Sequence, residues 1–199
     1  MAGPRPFQSR GDWVIEVSAA KVFTKEKFDA VSVGDQPVTG ADLSINDDTT
    51  VSFDVSYFLT PSVALNVFGG VPASARLRGR GALAGLELGK TDYGPAIVSL
   101  QYHRPLNERL DAYGGVGVGR LLFVNEGDGA VAGFHVEDAW APALQAGTRY
   151  RLAGDWMANV DVRYAPFKAK ISGRLGPAPV AARVKVDPLI VDVGLAYSF

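Results

Sequence analysis

The residue types that most often carry catalysis are scarce in this chain of 199 residues. It contains no cysteine and two histidines, His103 and His135. A catalytic serine needs a base within hydrogen-bond reach and a carboxylate that orients this base. Neither histidine has a serine and a carboxylate at a recognisable spacing. The sequence therefore predicts that the protein is not an enzyme, and a membrane-embedded protease or acyltransferase is the weakest functional hypothesis.

Sites for cofactors, metals and nucleic acid are equally scarce. The run Tyr113-Gly114-Gly115-Val116-Gly117 is not a phosphate-binding loop, because no helix follows it and the fingerprint is incomplete. The absence of cysteine excludes thiolate metal sites, and we predict no metal and no cofactor. The net charge of −1 creates no field that would attract nucleic acid.

The length suits one domain. We expect residues 1–10 to form a flexible segment and residues 11–199 to form a single domain. No run approaches the roughly 18 apolar residues of a spanning helix, and the opening Met-Ala-Gly-Pro-Arg-Pro has no apolar core like that of a signal peptide. If the protein is exported, we expect this to be the mature chain behind a start codon.

Eight stretches of the chain alternate between apolar and polar residues, which is the period of a β-strand. Their approximate bounds are 12–22, 49–59, 63–72, 95–103, 111–123, 139–152, 156–167 and 187–199. The last stretch shows the pattern most clearly, since Leu189, Val191 and Val193 fall on one face while Asp192 and Gly194 fall on the other. We predict one strand for each stretch.

Short and long connections alternate along the chain. Residues 60–62, 104–110 and 153–155 form short connections, whereas residues 23–48, 73–94, 124–138 and 168–186 form long ones. An up-and-down antiparallel order then places every short turn and both termini at one end. A tilted strand crosses a bilayer with about 9–11 residues, and such unequal loops on an even number of strands are typical of bacterial outer-membrane barrels. The sequence predicts an all-β, eight-stranded, antiparallel transmembrane barrel with four long extracellular loops and three short periplasmic turns.

A soluble barrel with an apolar interior would show the same alternation, and the aromatic residues decide between the two. Rings cluster at both ends of the segments, as in the interfacial belts of membrane barrels. The turn-side belt comprises Trp13, Tyr57, Tyr102, Tyr113, Tyr150, Trp156, Tyr197 and Phe199. The loop-side belt comprises Phe23, Phe68, Tyr93, Phe123, Trp140, Tyr164 and Phe167. Lysine is absent from the middle of every segment, which a lipid-facing wall explains.

If the apolar face meets lipid, the opposite face lines the lumen and carries charges of both signs. We expect a hydrogen-bonded polar plug rather than an open pore, because side chains nearly fill an eight-stranded barrel. The predicted plug comprises Glu16, Asp54, His103, Arg120, Arg149, Asp161 and Asp192. In the fifth segment, a lipid-facing Tyr113 turns Gly115, Gly117 and Gly119 outward and Arg120 inward. Two interpretations stay open, in which the charges only hold the barrel shut or also take part in transport.

The loop side of the predicted lumen is apolar, and such a pocket could receive a hydrophobic solute. Its inward positions include Val14, Ala20, Val22, Phe68, Ile97 and Val118. The apolar residues of the loops could instead merely pack the loops together. Pro72 and Pro95 flank the second long connection, and proline cannot donate a hydrogen bond to a ladder. Local separation of the strands there would open the wall sideways.

Several motifs resemble those of the outer-membrane protein W (OmpW) family, which includes alkane-uptake proteins of the AlkL type. They are Glu137-Asp138-Ala139-Trp140, Gln145 to Tyr150, Asp155-Trp156 with Asn159, and Asp187-Pro188 with Gly194, Tyr197 and Phe199. Val71-Pro72 before a basic stretch and Tyr113-Gly114-Gly115-Val116-Gly117 fit the same pattern. The resemblance covers nearly all of the chain after Gly11.

The resemblance implies a barrel that carries small hydrophobic molecules inward, through a lumen closed at the periplasmic end and a lateral opening in the wall. It places Pro72 at this opening, Phe68 at an apolar gate and Phe199 in the signal that the barrel-assembly machinery reads. Arg163 occupies the facing gate position, where the family leads us to expect an aromatic residue. This difference extends the expected permeants from hydrophobic to amphiphilic molecules.

The sequence thus predicts a bacterial outer-membrane protein with both termini in the periplasm and with membrane lipid as a partner. The leading function is passive uptake of small hydrophobic or amphiphilic molecules, with Phe68, Pro72, Pro95 and Arg163 at the gate and lateral opening. The alternative is a surface receptor or adhesin-type barrel, in which the lumen is structurally plugged and the long loops bind a partner.

Overall fold

The computed structural model describes residues 7–34, 36–44 and 48–199, without the side chains of Phe28, Leu43, Asp48 and Ala73. The described residues contain no helix long and apolar enough to cross a membrane. They form thirteen strands, which are β1 (Trp13–Val33), β2 (Gln36–Pro37), β3 (Ala41–Ser44), β4 (Asp48–Thr60), β5 (Val63–Gly70), β6 (Ala73–Gly81), β7 (Glu87–Pro105), β8 (Leu110–Asp128), β9 (Ala132–Glu137), β10 (Ala139–Ala153), β11 (Trp156–Tyr164), β12 (Phe167–Leu175) and β13 (Ala178–Ser198).

Eight of these strands close a ring in which every neighbour is antiparallel. The order is β1, β4, β5, β7, β8, β10, β11 and β13, and β13 pairs back with β1. The closing ladder runs from the Val14–Ser198 pair to the Val33–Val180 pair. Since lipid cannot hydrogen-bond an open sheet edge, closure is what allows such a sheet to span a membrane. The predicted eight-stranded antiparallel barrel is confirmed.

The strands are much longer at one end than the sequence predicted. β1 and β13 have 21 residues each, although about 9–11 residues cross a bilayer. The long connections are therefore largely β-hairpins, in which β6 pairs with β7, β12 with β13 and β9 with β12. The predicted segments ended too early. Beyond the membrane the outer face of a strand meets water and carries charged side chains, so its sequence resembles that of a loop. We call this end of the barrel the hairpin end and the opposite end the turn end.

The barrel wall is apolar outside and polar or mixed inside. On β4 and β5, Phe53 and Val67 point outward and are about half exposed, whereas Asp54 and Asn66 point inward and are buried. An exposed apolar band of this extent is unusual for a soluble protein and is what a bilayer requires.

The aromatic belts are partly as predicted. The outward-facing members are Trp13, Tyr57, Tyr102, Tyr150, Trp156, Tyr197 and Phe199 at the turn end, with Phe23, Trp140 and Tyr164 towards the hairpin end. The prediction is wrong for Phe68, Tyr93 and Phe167, which are buried inside the barrel, and for Phe123, which packs against their apolar cluster. These rings fill the apolar part of the lumen.

The orientation of β8 is the opposite of the predicted one, because the face that was expected to meet lipid points into the lumen. Tyr113 is only 5% exposed and points into the lumen, while Val116 and Val118 are 63% and 52% exposed on the outside. The same register turns Arg120 outward, where it pairs with Asp138 at 2.8 Å. Tyr113 is therefore not a belt residue, Arg120 is not a plug residue and Val118 does not line the lumen.

Glycines explain this register because they make room for side chains from other strands. A Cβ atom on Gly115 would lie 2.9 Å from Cγ of Gln145, and one on Gly119 would lie 3.1 Å from Cζ of Phe167. A Cβ atom on Gly117 would overlap the backbone of Val98 and Ser99. The stripe of β8 that lacks side chains therefore faces the crowded interior rather than the lipid.

Replacement of Gly117 should reveal this crowding. We expect Gly117→Ala to lower the free energy of unfolding by about 1–3 kcal/mol, as overpacking typically does. Gly69→Ala on β5 is the matched control, because nothing lies within 4 Å of its added Cβ atom. Urea titration of the protein in lipid vesicles measures both changes. Equal stabilities of the two variants would contradict the inward orientation of Gly117.

Candidate functional site

A buried arginine holds three wall strands together near the middle of the lumen. Arg163 on β11 donates from Nη1 to Asp192 Oδ2 on β13 at 2.6 Å and from Nη2 to Asp54 Oδ1 on β4 at 2.8 Å. Its Nη1 also lies 3.3 Å from Asp161 Oδ1. All four side chains are buried. Buried charges need partners of opposite sign, so removal of the arginine or of its carboxylate partners would leave buried charge uncompensated.

A second charged pair lies closer to the turn end. Arg149 Nη2 lies 3.8 Å from Glu16 Oε2 and donates to Ser56 Oγ at 3.2 Å. The guanidinium also sits 5.1 Å from the ring centre of Tyr113. The Tyr113 hydroxyl donates to Asp161 at 2.6 Å, so the two charged groups form one network.

His103 belongs to the same network and is held on both ring nitrogens. Its Nδ1 lies 2.7 Å from Asp111 Oδ2 and its Nε2 lies 3.1 Å from Gln101 Oε1. The imidazole packs between the rings of Phe58 and Tyr113, with both ring centres 4.8 Å away. Such an arrangement orients a histidine but presents it to no hydroxyl nucleophile among the described residues.

His135 has a different environment on an outer hairpin. It is exposed, and its Nδ1 lies 2.8 Å from Glu126 Oε2. The hydrogen bond and the charge of Glu126 raise the pKa of His135. This pair is a surface ion pair rather than part of the lumen.

The chain itself covers the turn end of the plug. Phe7 and Gln8 are buried, and the Arg151 guanidinium lies 4.3 Å from the Phe7 ring centre while Nη2 donates to the Phe7 carbonyl at 2.9 Å. Residues 7 and 8 of the segment predicted to be flexible are thus packed against the barrel, and residues 1–6 lie outside the described part of the chain.

Beyond Arg163 the lumen is mainly apolar up to the hairpin end, with a few buried hydroxyl groups such as those of Ser52 and Thr91. A continuous buried cluster extends from Ala20, Phe68, Ile97 and Ile190 to Val31, Phe134 and Ala182. Phe68 lies at its base, with its ring centre 4.1 Å from the Arg163 guanidinium. The cavities along this cluster measure about 20 and 30 Å³, little more than one water molecule needs. Side chains must therefore rearrange for any larger molecule to enter.

The wall is interrupted beside the base of this apolar lumen. The β5–β7 ladder ends at the Phe68–Ile97 pair, and pairing with β7 resumes on β6 at the Ala73–Tyr93 pair, one residue out of register. Pro72 lies within this interruption and Pro95 lies on the facing part of β7. A further cavity of about 20 Å³ reaches it and is lined by Phe68, Gly70, Val71, Gly94 and Pro95, among others.

The other side of the interruption is firmly held. Val71 donates from its backbone to the Val51 carbonyl at 2.9 Å, and Thr50 Oγ1 donates to the Val71 carbonyl at 2.7 Å. Residues 70 and 71 thus stay attached to β4, and the break in pairing is confined to the β7 side.

The structure brings most of the predicted site residues together. Phe68, Arg163, Pro72 and Pro95 lie around the base of the apolar lumen and the wall interruption. Inside the barrel lie the other predicted plug residues Glu16, Asp54, His103, Arg149, Asp161 and Asp192, whereas Arg120 lies outside. Sequence reasoning missed Tyr113 and Asp111 as plug residues. Both residues lie on the same face of β8 as Gly115, Gly117 and Gly119, and this face points into the barrel instead of towards lipid as predicted.

A closed barrel with an apolar belt, a charged plug near its short turns and an apolar lumen at the other end defines a small outer-membrane β-barrel protein. Comparison with known proteins identifies the kind. The model of the OmpW family matches residues 9–199, and the chain belongs to this family. In such barrels the short turns face the periplasm, so the turn end is periplasmic and the hairpin end is extracellular.

Individual relatives agree with this assignment. The chain is 46% identical to the outer membrane protein AlkL of Ectopseudomonas oleovorans over 96% of this chain and 84% of that protein. It is 30% identical to the dibenzothiophene metabolism operon protein PahQ of Pseudomonas aeruginosa, over 88% of this chain and 85% of PahQ.

Solved structures show the same barrel. The solid-state NMR structure of AlkL in lipid bilayers matches with a TM-score of 0.79 and 45% identity, over 100% of this chain and 93% of that one. The crystal structure of OprG from Pseudomonas aeruginosa matches with a TM-score of 0.89 at 22% identity, over 96% and 97% of the two chains, and supports the fold alone. The protein is therefore a bacterial outer-membrane barrel.

Removal of the Arg163 charge should destabilise the barrel strongly. Arg163→Gln leaves Asp54, Asp161 and Asp192 facing one another, and we expect a loss of about 3–5 kcal/mol in the free energy of unfolding. Adding Asp192→Asn should recover part of this loss. Urea titration in lipid vesicles measures all three proteins.

Arg120→Gln is the matched control, because its ion pair is exposed and should contribute no more than about 1 kcal/mol. If Arg120→Gln lowered the free energy of unfolding as much as Arg163→Gln does, the buried cluster would contribute no more to stability than an exposed ion pair.

Proposed function

We propose that the protein allows small hydrophobic or amphiphilic molecules to cross the outer membrane passively. A molecule enters at the hairpin end, moves along the apolar lumen and leaves sideways through the wall interruption between β5 and β7. The observation that carries this proposal is the position of the interruption, directly beside the point at which the apolar lumen meets Arg163.

The plug favours a sideways exit over a straight path. A molecule that continued towards the periplasm would have to separate Arg163 from Asp54 and Asp192, and then Arg149 from Glu16. Leaving buried charges without partners costs several kcal/mol per group, and an apolar solute has no charged or polar group that could replace those partners. Directly beyond Phe68, residues 69–72 have no ladder pairs with β7, and lipid lies outside this part of the wall.

The polar atoms near the exit favour permeants that have one polar group. Ser52 lines the cavity at the interruption, and its hydroxyl has no hydrogen-bond partner among the described residues. A hydroxyl, ester or amine at one end of an apolar molecule could bond to this group while the remainder contacts Phe68 and Ile190. PahQ, a relative from a dibenzothiophene metabolism operon, is consistent with a hydrophobic solute.

Uptake of N-phenylnaphthylamine tests the proposal, since this dye fluoresces when it reaches the membrane interior. Gram-negative cells that lack their own family member should take up the dye faster when they express this protein than when they carry an empty vector. The electrophoretic mobility of the protein before and after heating shows whether the expressed barrel is folded. Equal initial rates would contradict the uptake function.

A reversible crosslink tests the lateral exit. The natural chain has no cysteine, and a Cβ atom on Gly94 would lie 3.7 Å from Cα of Pro72, within reach of a disulfide. We expect oxidised Pro72→Cys/Gly94→Cys to take up the dye at the empty-vector rate, because the wall is closed, and a reductant to restore uptake.

Val67→Cys/Val98→Cys is the matched control, because it joins an intact pair of β5 and β7 on the same side of the barrel. Its oxidation should leave uptake unchanged. If the oxidised Pro72→Cys/Gly94→Cys protein takes up dye as fast as its reduced form, the exit does not lie at the interruption.

The tight filling of the lumen favours a second candidate, a receptor or adhesin-type barrel that acts through its hairpins. Shortening the hairpins formed by β6 and by β9 would then abolish attachment to host cells or phage while dye uptake stayed unchanged. Loss of uptake without loss of attachment would favour the channel.

The closing strand is the proposed contact for the barrel-assembly machinery. Phe199 is exposed on the outer face, its backbone nitrogen donates to the Trp13 carbonyl at 2.8 Å, and its ring packs edge-on against Tyr197. An aromatic terminus displayed in this way is available to a protein that binds the strand before β1 pairs with it.

A further inference from the structure

The outer wall of the hairpin end becomes strongly basic just beyond the lipid-facing band. On β13 the apolar residues of the lipid-facing band end at Leu189, and the next three outward positions are Asp187, Lys185 and Arg183. On β1, Lys21 already lies among the outward apolar residues, with its Nζ 6.0 Å from the ring centre of Phe23, and the outward positions beyond Phe23 are Lys25 and Lys27. The two outward positions that follow the Phe23–Leu189 pair are therefore charged on both strands.

Three lysines form a row across three adjacent strands. Lys185 on β13 is directly opposite Lys27 on β1 and Lys168 on β12. Opposed side chains in a sheet have Cβ atoms about 4.5–5.5 Å apart, and like charges at this spacing destabilise the sheet. We call Lys27, Lys185 and Lys168 the lysine row. Its repulsion is relieved when an anion lies between the ammonium groups.

The protein neutralises the surroundings of the row only in part. Lys25 and Asp187 oppose each other below it. At the level of the row and beyond it, this surface carries six basic side chains and two acidic ones. The basic residues are Lys27, Lys168, Lys170, Arg174, Arg183 and Lys185, and the acidic residues are Asp29 and Glu137. Lys170 pairs with Glu137 at 3.1 Å and Lys185 with Asp29 at 2.8 Å. Within the described part of the chain, Lys27, Lys168 and Arg183 form no ion pair.

Asp29 shows that this surface favours an anion. The ladder between β1 and β13 shifts register between Phe28 and Ala30, so Asp29 is the extra residue of a bulge and lies beside the row. The pKa of Asp29 is below its usual value, mainly because Lys185 donates a hydrogen bond to it, and the charges of Lys185, Lys168 and Arg183 lower it further. One carboxylate is already bound by the row, and the remaining cations leave room for another anion.

The height of the row matches that of lipid head groups. Lys27 and Lys185 lie four residues beyond Phe23 and Leu189, or about 13 Å along the strands. Barrel strands are tilted by about 35–45°, which reduces the height above the apolar band to roughly 10 Å. The polar layer of a bilayer begins directly above the hydrocarbon, and the outer leaflet here carries glycolipids with phosphorylated sugar head groups.

We propose that the lysine row binds the phosphate groups of the phosphorylated glycolipid in the outer leaflet of the outer membrane. Phosphate oxygens accept charge-assisted hydrogen bonds from ammonium groups, and neighbouring strands about 4.8 Å apart allow two lysines to hold one phosphate. The acyl chains of the same lipid would lie against Leu189, Phe23 and Tyr164 below the row. This site is separate from the lumen and does not depend on the uptake function.

Native mass spectrometry of the protein released from detergent micelles tests the proposal with two probes. These are bisphosphorylated lipid A and the same lipid A after removal of its phosphates. We expect the natural protein to retain the phosphorylated form preferentially. Replacement of the row by Lys27→Gln, Lys168→Gln and Lys185→Gln should weaken its binding by roughly 100-fold at low salt, while Lys→Arg at the same positions should preserve it. Asp29→Asn should strengthen binding, because it removes the competing carboxylate.

The matched control carries Arg10→Gln, Arg104→Gln and Arg109→Gln, the same charge change at the turn end, and should bind lipid A like the natural protein. Unfolding in urea shows whether each variant is folded, and loss of the row should change stability little, because the repulsion that it removes offsets the exposed Lys185–Asp29 pair that it also removes. Equal binding by the glutamine row variant and the natural protein would overturn the proposal. So would equal retention of dephosphorylated lipid A by the natural protein, or full displacement of lipid A by inorganic phosphate at equal concentration.

Discussion

The constraint on which this structure depends is that backbone amides and carbonyls in lipid must bond to each other, since no water is available there. The sheet therefore closes on itself through β1 and β13, and the direction of each side chain follows from this closure. One interruption lies where Pro72 and Pro95 withhold two of the donors that a continuous ladder would use. Within the described part of the wall, ladder pairs are also absent between the Leu144–Tyr164 pair of β10 and β11 and the Lys170–Glu137 pair of β12 and β9. The break at Pro72 borders the cavity that is lined by Phe68 and Ser52.

Two kinds of packing divide the interior at Arg163. Below it, charges hold one another in a low-dielectric space, and any displacement leaves a charge without its partner. Above it, apolar side chains such as Phe68, Ile97 and Phe134 make contacts that are individually weak and can be exchanged for contacts with an apolar guest. The lower part is therefore held in one arrangement, while the packing of the upper part can rearrange. The wall interruption lies at the height where these two regimes meet.

Alternation along the sequence was sufficient to predict the barrel, the two faces of seven strands and most of the plug. It failed on β8, because Gly115, Gly117 and Gly119 have no side chain and therefore no hydropathy to read. Their orientation depends on crowding by Gln145, Phe167 and the backbone of β7, which a sequence does not display. The hairpin strands were missed for a related reason: beyond the membrane, a polar outer face no longer distinguishes a strand from a loop. Pro72 and Pro95 marked the interruption, but the register shift that separates β5 from β7 depends on pairing in three dimensions.

The attachment of β6 gives the hairpin end a mechanical link to the wall. β6 is hydrogen-bonded to β3 and β7, and it continues the chain of β5 without sharing a ladder with it. A load on this hairpin therefore reaches the barrel through β7 and through the short tether of residues 71 and 72. A molecule that pushes the hairpin aside as it enters would pull on the same strand that borders the break in the wall. A displacement of the hairpin and a displacement of the wall at the interruption therefore both act on β7, although they occur at different heights.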